Sequence, residues 1–121
     1  MNEFQRRIKR FTAARDWGQF HNPKGLLLGI VEEDGEIRNL VKWEQDPKKL
    51  QRVLAEHREE LEDDIGDIYW FLALLTNANN INLDEAIDGV IRKNETRFPV
   101  AETRSRHTNR HLGGRDRQYG K

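Results

Sequence analysis

Residues 65–75 read Ile-Gly-Asp-Ile-Tyr-Trp-Phe-Leu-Ala-Leu-Leu, apolar nearly all round a helix, yet carboxylates stand at their entrance and inside them. A helix that is apolar on every side is buried on every side. A buried carboxylate without a partner costs several kcal/mol or is forced to protonate. Any fold for this chain must therefore bring Asp64 and Asp67 something that answers their charge.

A second acidic run meets the same condition. Glu32, Glu33, Asp34 and Glu36 lie inside another apolar helical segment, and with Glu59, Glu60, Glu62, Asp63, Asp64 and Asp67 they make ten of the chain's twenty-one carboxylates. Glu33 and Glu36 are three residues apart, as are Asp64 and Asp67, so each pair shares one helix face. Two such helices packed together place four carboxylates around one point, which calls for a cation. Hard divalent ions take oxygen ligands, and Mg²⁺ usually shares them with water and phosphate. A solvated acidic face is the commoner use of such a run. Three features point away from it here: the clusters adjoin the most apolar segments, Asp64 and Asp67 interrupt a buried helix, and Gly35 and Gly66 leave room beside them. The expectation is a helical protein that holds Mg²⁺ for phosphate chemistry, with Mn²⁺ as a substitute ion. A free carboxylate nearby, Glu32 or Glu60, is available as general base.

A length of 121 residues implies one domain. With 36% hydrophobic and 35% charged residues, the core is thin, and a homo-oligomer is expected to bury what remains apolar. There is no cysteine, hence no disulfide framework or thiolate metal site. No apolar stretch nears the roughly 20 residues that span a bilayer. The first residues lack the apolar core of a signal peptide. No membrane partner and a cytoplasmic setting are the expectation. The charges balance overall, but residues 101–121 hold six cations against two acids. That stretch is expected to be a basic, flexible tail, following a helical domain over residues 1–100.

Helical spacing of Phe4, Ile8, Phe11, Ala14 and Trp17 predicts a first helix over residues 3–17. Asn22-Pro23 caps and starts a second, expected to reach about Trp43 with Gly29 and Gly35 inside it. Such glycines cost roughly 1 kcal/mol each against alanine, which suggests close backbone approach or room for a ligand. Asp46-Pro47 starts a third helix to about Ala78, with a break near His57. Asn82 and Glu85 open a last one from Leu83 to about Arg97. No strand alternation or internal repeat is present. The predicted fold is all-α, a four-helix bundle of antiparallel neighbours.

The pattern Glu33-x-x-Glu36 followed by Asp64-x-x-Asp67 resembles the MazG-like all-α nucleoside triphosphate pyrophosphohydrolases. The segments Arg15-Asp-Trp17-Gly-Gln-Phe20-His21-x-Pro23-Lys24, Leu40-Val-Lys-Trp43 and Lys93-Asn94-x-x-Arg97-Phe98-Pro99-Val100 are similar to the dCTP pyrophosphatase branch. The resemblance spans roughly residues 3–100. It implies Mg²⁺-dependent hydrolysis of a deoxynucleoside triphosphate to monophosphate and pyrophosphate, by a homodimer or homotetramer. It further implies Glu33, Glu36, Asp64 and Asp67 as metal ligands and catalytic acids, and Trp17, Trp43 and Phe71 as base-binding aromatics. His21, Lys93, Asn94 and Arg97 become substrate contacts. Two departures stand out. Asp64 takes the place of a usual glutamate, and Asp34 that of a usual apolar residue. Glu60-x-x-Asp63 also fits the spacing of the second pair; Asp64/Asp67 better matches the family's distance to the Asn94 segment.

Phosphoribosyl-ATP pyrophosphatase and dUTPase-like enzymes are rivals within the superfamily, and the tryptophan segments favour the dCTP type. The rival from another class is a non-catalytic helical binding module whose basic tail grips nucleic acid through phosphates; nucleic acid is not expected as a partner in the leading reading. A carboxylate-bridged iron protein is disfavoured because the Glu-x-x-His pairs of that architecture are missing.

Overall fold

The computed structural model describes residues 1–105, and these contain helices and loops with no strand. Helix α1 spans Glu3–Ala14, α2 Pro23–Val41, α3 Leu50–Glu56, α4 Arg58–Ala78, α5 Leu83–Arg97 and α6 Val100–Thr103. The four expected helices correspond to α1, α2, the α3–α4 pair and α5. Most of the expected basic tail, from residue 106 onward, lies outside the described residues. The chain divides into two compact units, Met1–Leu83 and a second that begins at Asp84.

Local chemistry fixes most boundaries. Asn2 caps α1 through a reciprocal pair of hydrogen bonds with Gln5. The Asn22 side chain accepts from the Gly25 N–H at 2.8 Å, with Pro23 at the first helical position of α2. His57 separates α3 from α4, as expected. At the end of α4, Asn80 adopts a left-handed conformation (φ 54°) and the Ile81 N–H donates to the Thr76 carbonyl at 3.0 Å. That six-to-one bond and left-handed residue form a Schellman closure.

Two boundaries differ from expectation. The first helix stops at Ala14 rather than Trp17: Asp16 turns left-handed (φ 53°), and Trp17–Phe20 forms a short 3-10 turn. The second stops at Val41, two residues before Trp43. Asp46 precedes a proline and is held extended (φ −86°, ψ 110°), so the chain leaves the helix early to reach it.

In the first unit, α4 packs against α2 on one side and α1 on another. Leu26 of α2 and Ala73 and Leu74 of α4 are its buried apolar residues. Gln5 is fully buried. It donates to Thr76 Oγ1 (3.0 Å), Asn77 Oδ1 (3.1 Å) and the Ile81 carbonyl (2.8 Å), and accepts from the Leu83 N–H (2.9 Å). Every polar atom of that side chain is therefore satisfied. Further along α1, Phe11 meets Trp70 edge-on, with ring centroids 5.4 Å apart. Between α1 and α4 runs an apolar groove of about 640 Å³, walled by Phe4, Ile8, Phe11, Ile65, Tyr69 and Trp70.

Candidate active site

Helices α2 and α4 run antiparallel, so a step of one turn up α2 meets a step of one turn down α4. Gly29 of α2 faces Phe71 of α4. One turn on, Glu33 faces Asp67 and Asp64, and carboxylate oxygens of these three residues all lie within 4.8 Å of one another. One turn further, Glu36, Asn39 and Leu40 face Glu60, Asp63 and Asp64 across an open cleft of about 370 Å³.

The acids differ in environment. Asp64 is buried at 8% exposure, Glu33 is half-buried, and Asp67 and Glu36 are exposed. Glu33 Oε2 is buried and has no hydrogen-bond partner. The hydrogen bond that Glu36 shares with Asp64 holds the Glu36 carboxyl above its ordinary range, and the charge of Glu33 pushes the same way. Among the described residues, the ion pairs Arg6–Glu3, Arg52–Glu56, Arg58–Glu62 and Arg92–Asp88 are each local to one helix and take in none of these four acids. Three mutually reachable carboxylates, one with a buried unsatisfied oxygen, suit a hard divalent cation.

Of the two registers for the second pair, Asp64/Asp67 is the one that meets Glu33. Glu60 and Asp63 line the adjoining cleft instead. Glu32 and Asp34 are exposed. Phe71 is half-buried and its ring covers Gly29. Trp43 lies beyond the end of α2, 84% exposed, with the Lys42 ammonium 5.1 Å from its ring centroid. It does not continue the acid-bearing face of that helix, although seven residues, about two turns, separate it from Glu36. Trp17 meets the Phe11 ring edge-on at 5.5 Å, and half-buried His21 follows the 3-10 turn. Lys93, Asn94 and Arg97 sit on α5 in the second unit, Asn94 half-buried and the Arg97 guanidinium over the Phe98 ring at 5.0 Å. Asn39 is a cleft residue that the acidic motif does not include. Its position three residues after Glu36 was the available signal.

Residues 21–101 match the family described as the MazG nucleotide pyrophosphohydrolase domain. The chain belongs to that family. The matched span of this MazG chain holds both acid pairs and runs past the end of α5. It is 32% identical over 101 residues to dCTP pyrophosphatase 1 of Mus musculus, covering 83% of this chain and 59% of that protein. To the Homo sapiens dCTP pyrophosphatase 1 it is 31% identical over 106 residues, covering 87% and 62%. The MazG chain thus spans about three fifths of the length of these curated relatives. A pyrophosphatase from Archaeoglobus fulgidus shares its fold, with a TM-score of 0.74, 29% identity, and coverage of 80% of this chain and 90% of that one. The MazG fold is all-α, as the helical spacing predicts. Among the described residues no helix is long and apolar enough to cross a membrane.

Proposed function

We propose that this chain hydrolyses a nucleoside triphosphate, dCTP or a related deoxynucleotide, to the monophosphate and pyrophosphate, with Mg²⁺ held by Glu33, Glu36, Asp64 and Asp67. The supporting observation is the meeting of Glu33, Asp64 and Asp67 within 4.8 Å, with Glu33 Oε2 buried and unpartnered. Membership of a nucleotide pyrophosphohydrolase family and likeness to dCTP pyrophosphatases in two mammals agree with it. Mn²⁺, which accepts the same oxygen donors, is the expected substitute.

When bound, the ion would neutralise phosphate charge and lower the pKa of a coordinated water. The chain's own groups do the rest. Asp64 is buried and lies within reach of both Glu33 and Asp67. Glu60, exposed like Glu32 but on the wall of the cleft, or Glu32 itself is available to take a proton from an attacking water. Phe71, one turn from the acids, stacks on the base; Trp43, Trp17 and His21 are further nucleoside contacts in this reading. Lys93, Asn94 and Arg97 carry phosphate- and sugar-binding chemistry in this reading, Arg97 through its planar donor fork. A homodimer or homotetramer in the cytoplasm, acting on the free nucleotide pool, completes the proposal.

The experiment is pyrophosphate release from a panel of natural and modified deoxynucleoside triphosphates with and without Mg²⁺. Turnover of dCTP that vanishes on chelation is expected. Asp67→Asn should abolish it while preserving the thermal transition, and should erase the rise in Tm that Mg²⁺ gives the parent chain. Parent-like turnover in Asp67→Asn would remove the metal assignment.

A further inference from the structure

We infer that Gly29 is a positioning residue: its missing side chain sets how deeply the Phe71 ring sits between α2 and α4, and thereby the depth of the nucleobase end of the site. The inference rests on the proposed nucleotide reading and adds a residue to it. Gly29 is buried, and a Cβ placed on it would fall 2.6 Å from Phe71 Cε1, 2.7 Å from Cζ and 2.9 Å from Cδ1. Three ring atoms at such distances mean that the edge of the ring occupies the very space a side chain would take.

Gly35 and Gly66, the glycines beside the acids, are different, since a Cβ on either meets nothing within 4 Å. The close approach is thus particular to position 29. It also has a location. Gly29 precedes Glu33 by four residues and Phe71 follows Asp67 by four, so the contact lies one turn beyond the carboxylates on the shared face of both helices. A base reaching outward from phosphates at the acids would meet the half-buried ring there.

The consequence of adding one methyl follows from size. The ring edge must withdraw by about 1 Å to regain ordinary contact, and a misplacement of about that size at a binding group costs up to on the order of a hundredfold. The obstructing atoms all belong to one side chain, so the ring rather than the α2 backbone is expected to give. The acids, one turn away, should keep their geometry.

The test is calorimetric binding of the non-hydrolysable α,β-imido analogue of dCTP, and separately of inorganic tripolyphosphate, to the full chain with Mg²⁺. The variants are Gly29→Ala, Phe71→Leu and the two combined. Gly29→Ala should weaken the dCTP analogue roughly tenfold or more, leave tripolyphosphate within about twofold, and keep the Mg²⁺-dependent rise in Tm. In the Phe71→Leu background the same methyl should change little, so the double-variant cycle is non-additive. Equal losses for both ligands, or the same cost of Gly29→Ala in both backgrounds, would overturn the inference while leaving the nucleotide reading intact. Failure of the parent chain to bind the analogue at all would overturn both. Should Gly29→Ala not fold, the double variant decides: folding and tripolyphosphate binding restored when Phe71→Leu is added support the inference, and a double variant that still fails to fold sinks it.

Discussion

Glu33 carries a buried oxygen without a partner, and beside it Glu36 keeps its proton to a higher pH than a free glutamate, chiefly through the hydrogen bond with Asp64. Both are signs of crowded acids. The sign of the pH effect follows. A folded-state pKa raised above the unfolded one stabilises the metal-free fold below the ordinary glutamate pKa of 4.5, and that stabilisation is lost as pH rises through the raised value. In the proposed site Mg²⁺ would have to displace the same proton. Its half-saturating concentration should therefore climb as pH falls through the raised value, which lies above 4.5. A Tm titration with Mg²⁺ at several pH values checks this. A flat dependence would show that Glu36 is not a ligand. Gln5 is the opposite case, a buried polar group with every donor and acceptor answered. Gln5→Leu keeps similar volume but strands the Leu83 N–H and the Ile81 carbonyl, a loss on the order of 3 kcal/mol, measurable by urea unfolding.

At the level of helices, the antiparallel pair α2 and α4 turns two linear motifs into one site, because matching one-turn steps bring Gly29 to Phe71 and Glu33 to Asp64 and Asp67. Trp43 stands apart from that ladder, past the end of α2 and almost wholly exposed. Its removal should leave stability unaltered. If it stacks on the base, Trp43→Ala should lower kcat/KM for dCTP roughly ten- to a hundredfold and spare tripolyphosphate; equal effects on both, or none, would place the base elsewhere. Much of this level was legible in the sequence. Asn22-Pro23 gave the start of α2, His57 the break before α4, and the interrupted apolar run gave the meeting of Glu33 with Asp64. These signals are local or periodic. The end of α2 was not legible, since it depends on where the extended Asp46 must lie. Nor was the buried role of Gln5, whose partners beyond Asn2 stand 71 to 78 residues away, or the partner of Gly29, a ring on another helix.

For the whole molecule, the thin core implied by composition is visible as exposed apolar surface. Phe4 is 55% and Ile65 53% exposed on the rim of the α1–α4 groove, and solvent contact there is unfavourable at about 25 cal/mol per Å². Light scattering at micromolar concentration should give a multiple of 14.3 kDa; a lone monomer would contradict the expected assembly. The buried glutamine also bears on the order of events during synthesis. Gln5 near the start of the chain closes on Leu83, 78 residues later. A ribosome releases those residues in sequence, and closing so long a loop is slow compared with local helix formation. The polar hub of the first helix therefore stays open until the far end of α4 has emerged, long after that helix is made.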